Sequence, residues 1–216
     1  MKLKLSALTM SLCFLAPALA AAQEIGSKGD VVFSAERLMG ISGTHAYTQG
    51  DPSPNDYDND WTGFSFGWRG PISADGLAPF DVPRLAFDYL VIDHLSIGGS
   101  LGYASLSPDG NGQNDVSMFM LAPRVGYLHS FGRVVAIWPR GGFTYHSASF
   151  DPGYDESGFA LSLECAFTFS PVEHFAFQVG PTFDIDMFGE QHSPGDPDRD
   201  RKYRAFGINA GLLGWF

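Results

Sequence analysis

Apolar and polar positions alternate with a period of two along most of the chain after Ser27. The clearest run is 174–188, where odd positions hold Phe, Val, Pro, Ile and Met and most even positions hold Gln, Gly, Thr or Asp. The segment 159–169 alternates in the same way. Because successive side chains of a strand point to opposite faces, both segments are predicted strands with one apolar face and one small or polar face.

The same alternation predicts eight strands, and most of them exceed the roughly 9–11 residues that a tilted strand needs to cross a bilayer. Their connections alternate between short turns and long segments rich in Asp, Pro, Gly and Asn. This pattern predicts an all-β fold, an eight-stranded antiparallel transmembrane β-barrel with short periplasmic turns and long extracellular loops. The strands are expected at 30–47, 83–92, 95–107, 116–130, 133–149, 159–169, 175–188 and 203–216, the short turns near 93–94, 131–132 and 171–172, and the long loops at 48–82, 108–115, 150–158 and 189–202.

Two features test this topology. The segment Trp61–Gly70 also alternates, and we assign it to the first long loop or to an extension of the second strand, because a ninth spanning strand would place the termini on opposite sides. A soluble β-sandwich is the alternative fold. It would bury similar apolar faces, whereas here nearly every strand combines an aromatic face with a small or polar one, the inverse arrangement.

The N-terminus has the features of a cleaved signal peptide, assigned to residues 1–22, with the barrel domain at 23–216. Lys2 and Lys4 precede an apolar stretch that ends in small residues suited to cleavage. Cleavage leaves 11 basic and 24 acidic side chains, a net charge of −13, which argues against nucleic-acid binding. It also removes Cys13, so Cys165 has no cysteine with which to form an intrachain disulfide.

The last strand carries a motif of its own. Asn209, Gly211 and the terminal Phe216 resemble the C-terminal insertion signal of bacterial outer-membrane barrels, in which a polar residue, a glycine and late aromatic positions lead to a final Phe. Gly214 departs from that pattern, and adjacent Trp215 is expected to compensate in part. The resemblance implies recognition by the barrel assembly machinery. At the level of architecture, residues 30–216 resemble the small barrels of the OmpA and OmpX type.

Charged residues on the inward-facing positions predict a network in the lumen. Hairpin symmetry about Gly132 and about Pro152 predicts that Arg124, Arg140 and Glu164 lie together, with Asp88 and Glu36 nearby. Paired charges would fix the register and close the channel, since an unpaired buried charge is costly. Separate hydration of each charge by luminal water is the alternative.

Some residues do not fit a regular strand. Proline removes a ladder hydrogen bond, so bulges are predicted at Pro123, Pro139 and Pro181. Arg37 falls on the lipid-facing side of the first strand, which predicts a bulge or a different register there.

The sequence offers little chemistry. A His–Ser dyad on a strand requires a spacing of two, but the His146–Ser147 and His129–Ser130 pairs are adjacent and point to opposite faces. We therefore predict no enzyme activity and no cofactor. The acidic run 56–60 lacks the glycine and the twelfth-position acid of a calcium loop, so no metal site is predicted. A looser divalent-ion bridge between acidic loops and lipopolysaccharide phosphates stays open.

The expected function is that of a monomeric barrel in the outer membrane of a Gram-negative cell, with a side-chain-filled lumen, because eight strands leave little internal space. Its expected partners are outer-membrane lipid, lipopolysaccharide and the assembly machinery. Its Asp-rich loops at 48–82 and 189–202 would serve a structural or surface-interaction role, with a surface partner that the sequence does not identify. A narrow porin-like channel for small solutes or ions is the alternative, and a lipid-modifying enzyme is a third, weaker one.

Overall fold

The structure, a computed structural model, describes residues 25–49, 57–67, 79–106, 115–150, 153–195 and 197–216. The predicted signal peptide lies outside these residues. Ten strands account for most of the described chain, and one short 3-10 turn lies between the second and third strands. They are β1 (Val31–Gln49), β2 (Tyr57–Phe66), β3 (Arg84–Ile92), β4 (Leu95–Leu106), β5 (Val116–Tyr127), β6 (His129–Ser130), β7 (Val135–Phe150), β8 (Tyr154–Val172), β9 (Phe175–His192) and β10 (Arg199–Trp215), and the 3-10 turn is Pro79–Asp81.

The strands form one antiparallel sheet that closes on itself through the pairing of β10 with β1. β1 pairs with β3 over its first half and with β2 over its second half, so β2 and β3 occupy one position in the wall. The two-residue β6 continues the position of β5 against β7. The described strands therefore form a ring of eight positions, which confirms the predicted barrel.

The segment Trp61–Gly70 contributes to the barrel wall. Its described part belongs to β2, which extends the second wall position beyond β3. In the described residues, β2 pairs with β1 but not with β4. No helix in the described chain is long and apolar enough to cross a membrane.

Two predicted long loops are shorter than expected. Pairing continues above the predicted strand ends, with Phe150 opposite Tyr154 and Asp155 opposite His192. The connections thus shrink to 151–153 and 193–198. A pair of strands that extends into water can carry polar side chains on both faces. The polar composition of these segments therefore predicted longer loops than the structure contains. The third short turn also moves, because β8 runs to Val172 and the turn is formed by Glu173 and His174.

The first long connection is only partly a surface loop. Besides β2, it contains the 3-10 turn, whose three residues are buried. Phe80 and Val82 are each 0% exposed, because this stretch folds into the barrel. We call residues 79–83 the inner segment.

Outward and inward side chains differ as predicted for a membrane barrel. Along β10, Phe206 and Ile208 are more than half exposed while alternate side chains such as Ala205 and Asn209 are buried. The described wall exposes a long series of apolar side chains, and the buried set includes Glu, Asp, Arg, Ser and Thr. An apolar exterior around a polar interior places the barrel in an outer membrane.

The bulges predicted at Pro123, Pro139 and Pro181 are wrong, since no register shift occurs at any of these prolines. Each proline instead adjoins a gap or the end of a ladder. The β5–β7 ladder has no pairs at 122–123 and ends at residue 140, and the β8–β9 ladder has none at 180–181. The missing N–H is therefore accommodated without an extra residue.

The bulge predicted near Arg37 is present. The β1–β10 register shifts between Ala35 and Met39, and Arg37 has a φ of 53°, a left-handed value uncommon outside glycine. The shift turns Arg37 into the lumen, where it is 4% exposed. The lipid-facing position that strict alternation gave this residue is therefore wrong.

The interior has three levels. The level at the short-turn end is an apolar cluster that includes Trp138, Trp215 and Ile25, and backbone hydrogen bonds of Gly26 and Gly29 hold the N-terminal segment across this end. The level at the loop end is a second apolar cluster around Phe80. Glu36, Asp88, Arg124, Arg140 and Glu164 lie between these two clusters.

Candidate functional site

The structure brings together the residues predicted for the luminal network. Arg124 Nη1 donates to Glu36 Oε2 at 2.7 Å and to Glu164 Oε1 at 2.9 Å, and its Nε donates to Asp88 Oδ1 at 3.1 Å. Arg140 Nη1 donates to Glu36 Oε1 at 2.7 Å, and its Nε lies 2.8 Å from Glu164 Oε1. The two guanidinium groups therefore share two carboxylates.

Five wall positions supply these five side chains: β1 (Glu36), β3 (Asp88), β5 (Arg124), β7 (Arg140) and β8 (Glu164). They meet because each lies on an inward position of its strand at a similar height. Further contacts fix the Arg140 guanidinium, whose Cζ lies 4.6 Å from the Trp138 ring centroid and whose Nη2 donates to Gln178. The network thus spans the lumen from one side of the wall to the other.

The strand register supports only part of the hairpin symmetry. Arg140 pairs with Glu164 across β7 and β8, as symmetry about Pro152 predicts. Arg124 pairs with Gly142, and Arg140 with Gly126, so symmetry about Gly132 is wrong by two residues. Gly142 makes this possible, because a Cβ there would clash with the Pro123 carbonyl and the Arg124 backbone.

A second ion pair stands beside the network. Arg37 Nη1 and Nη2 donate to the two Asp184 oxygens at 2.9 and 3.3 Å, and Nη1 also donates to the Phe80 carbonyl. Arg37 therefore ties the inner segment to β9. Asp184 lies at an even, inward position of β9, but strict alternation does not indicate its partner, because Arg37 enters the lumen only through the bulge.

Arg84 is buried without full hydrogen bonding. Its Nε and Nη2 have no hydrogen-bond partner in the described structure, nor does the Ser100 hydroxyl. Both residues line a cavity of about 20 Å³ beside the network, a volume that holds about one water. A similar cavity of about 20 Å³ lies on the β8–β10 side. The network therefore leaves space for single waters on both sides.

Another polar group lies near the loop end. His146 Nε2 is 2.9 Å from Asp186 Oδ1, and the Tyr203 backbone N–H donates to Asp186 Oδ2 at 2.9 Å. Phe80 packs edge-on against His146 and Tyr203. His146 faces inward at an even position, the same parity as Arg140, so alternation could have located it. The predicted network consists of carboxylates and guanidinium groups alone and does not include His146.

No family model matches the sequence, and no curated protein matches it. Solved structures of similar fold include the outer membrane protein OprG from Pseudomonas aeruginosa, at 13% identity and a TM-score of 0.51, covering 88% of this chain and 97% of that one. AlkL, solved by solid-state NMR in DMPC lipid bilayers, has 13% identity and a TM-score of 0.51, covering 91% and 94%. This chain is a small outer-membrane β-barrel.

The outer membrane protease OmpT from Escherichia coli is another solved structure found to be similar. OmpT shares 7% identity with this chain at a TM-score of 0.44, covering 87% and 97% of the two chains, a likeness that carries no argument about activity. Absence of catalysis stays a prediction for this outer-membrane barrel. Ser147 lies on the opposite face of β7 from His146, at the alternation expected for adjacent residues.

The residues of the predicted assembly signal take different positions in this outer-membrane barrel. Asn209 is buried in the lumen and donates to the Thr182 hydroxyl at 2.8 Å. Gly211 lies against the Ala35 carbonyl, where a Cβ would clash. Phe216 is 75% exposed. Trp215 is 0% exposed and belongs to the apolar cluster at the short-turn end. It therefore cannot replace the lipid-facing aromatic residue that the pattern expects at position 214.

Metal ligation is not evident in the described part of the barrel, where no three His, Cys, Asp or Glu side chains lie close enough to hold an ion. The acidic run 56–60 is only partly within the described residues.

Proposed function

We propose that this barrel is a closed structural element of the outer membrane that presents its loop end to the cell surface and does not conduct solutes. The observation that carries the proposal is the network centred on Arg124, which joins side chains from five wall positions across the lumen. Apolar clusters close the lumen above and below it. A solute would have to break paired charges within a low-dielectric interior, which is costly.

Surface interaction is the second part of the proposal. Acidic side chains are exposed at the loop end, among them Asp155, Asp198 and Asp200. They suit a partner with exposed amines or guanidinium groups, because opposite potentials steer encounter.

A planar-bilayer recording of the refolded protein tests closure, with a water-filled porin in the same bilayer as the positive control. We expect no conductance above that of the protein-free membrane. Discrete openings that depend on the inserted barrel would contradict the closed lumen.

A narrow channel is the second candidate, favoured by the partly unpaired Arg84 and the small cavities on both sides of the network. A channel lined in this way would be anion-selective, because Arg84 would be its free charge. Reversal potentials in a salt gradient, recorded for the protein and for Arg84→Met, distinguish the two candidates. A conductance that loses its anion preference in the variant supports the channel.

A further inference from the structure

Gly43 leaves a notch in the lipid-facing wall. It lies on β1 between Thr62 of β2 and Phe206 of β10, and Phe183 of β9 follows in the same row. A Cβ on Gly43 would meet no atom within 4 Å. These residues line a surface cleft of about 420 Å³. An apolar chain could therefore lie against the backbone of β1 between larger neighbours.

Polar side chains form the next outward row toward the loop end. His45 is paired in register with Asp60 on one side and Arg204 on the other, and all three line the cleft. His45 Nδ1 lies 2.7 Å from Asp60 Oδ1, so the Asp60 carboxylate is hydrogen-bonded to the imidazole. Arg204 is exposed and forms no ion pair within the described chain. The row thus offers one free guanidinium group beside an imidazole.

The height of this row is set by the apolar belt. From Phe206 to Phe216 the outward positions of β10 are apolar or glycine, a span of 11 residues. A tilted strand of about 9–11 residues crosses one bilayer. Arg204 is the first outward polar residue beyond that belt, on the side of the loop end. The row therefore lies at the level of the outer-leaflet headgroups.

We propose that this cleft binds the phosphate of an outer-leaflet lipid, with lipid A as the occupant. The Arg204 guanidinium would pair with the phosphate, for which its planar fork is well suited. Nδ1 of His45 is directed at Asp60, so Arg204 is the group that supplies the positive charge for the phosphate. An acyl chain would descend through the notch over Gly43, against Phe206. The site rests on the outer-membrane placement of the barrel but not on a closed lumen.

The test uses native mass spectrometry of the refolded full-length mature chain in detergent. Its ligands are lipid A with both phosphates, the same lipid A without phosphates, and inorganic phosphate. Arg204→Gln removes the cation. Gly43→Leu fills the notch and leaves every charge in place. Arg133→Gln is the matched control, because Arg133 is an exposed cation in a short turn. Heat-modifiable gel mobility verifies that each variant folds.

Arg204→Gln is expected to weaken binding of phosphorylated lipid A about tenfold or more, the usual range for a lost charge-assisted hydrogen bond. Gly43→Leu should weaken lipid A binding without changing the weak binding of inorganic phosphate, and Arg133→Gln should match the parent. Equal affinity for the two forms of lipid A, or an unchanged affinity in either cleft variant, would overturn the site. Binding of inorganic phosphate as tight as that of lipid A would overturn the lipid assignment. Conductance of the same preparation reports on luminal closure independently.

Discussion

Arg124 and Glu36 form a two-point ion pair across the lumen, with Nη1 2.7 Å from Oε2 and Nη2 2.8 Å from Oε1. Glu36 also accepts from Arg140 and from the Ser34 hydroxyl. Parallel N–H···O bonds of this kind are among the strongest polar contacts in proteins. Glu36 is therefore one of the two carboxylates that join the guanidinium groups of Arg124 and Arg140, and Glu164 is the other.

Removal of one partner from this network should be severe. Arg124→Ala leaves Glu36 and Asp88 without their main counter-ion, and we expect a loss of about 3–5 kcal/mol, as for other broken buried pairs. The urea midpoint of the refolded barrel in lipid vesicles measures the loss. Arg133→Ala, at an exposed turn position, should stay within about 0.5 kcal/mol. Equal midpoints for the two variants would show that the luminal charges are separately hydrated.

The inner segment depends on Arg37. In Arg37→Met the Phe80 carbonyl loses the Arg37 donor and Asp184 loses its counter-ion, so the backbone at 79–82 should open more often. Hydrogen–deuterium exchange followed by mass spectrometry should show faster exchange of peptides covering the inner segment. Peptides covering 118–127 of β5 serve as the internal reference. Unchanged protection at 79–82 would show that Phe80 packing alone holds the segment.

Two glycines provide a matched pair. At Gly98 a Cβ would clash with the Phe87 carbonyl and the Asp88 carboxylate, whereas at Gly43 it meets no atom within 4 Å. Gly98→Ala should therefore destabilise the barrel by about 1–3 kcal/mol through overpacking. Gly43→Ala should change stability by less than about 0.5 kcal/mol. Urea midpoints decide the matter, and similar values for both variants would contradict the close approach at Gly98.

At the loop end, the hydrogen bond that His192 donates to the Asp198 carboxylate raises the pKa of His192 above its ordinary value of 6.5. A raised folded-state pKa means that the pair stabilises the loop below the unfolded pKa and that this contribution is lost as the pH rises through the folded pKa. Titration of the His192 ring protons by NMR should show the raised pKa, and Asp198→Asn should lower it. The same pKa in both proteins would assign the shift to another group.

Alternation predicted the strands because the two sides of the wall face different solvents. It also placed Glu36, Asp88, Arg124, Arg140 and Glu164 on the inward face. It succeeded in the second half of β1 because the bulge adds an even number of residues: Ala35 opposes Leu212 and Met39 opposes Ala210. An odd number would have reversed every later face.

Other features depend on tertiary structure that has no periodic pattern. The inner segment contains Pro79 and Pro83 and has the composition of a surface loop, yet Phe80 and Val82 pack in a cluster with side chains from β1, β5, β7, β8 and β10. Arg37 enters the lumen through a φ that its sequence does not indicate. Nor does any local pattern show that β2 and β3 share one edge of β1, since that arrangement depends on two separate ladders.

The ion pairs of Arg124 on β5 reach the neighbouring strands β1 and β3 and, elsewhere in the wall, β8. Each pair fixes the distance between wall segments that share no backbone hydrogen bond. The network therefore cross-links the wall through the lumen. Lateral pressure from the surrounding lipid, which would flatten an empty cylinder, is resisted from the inside.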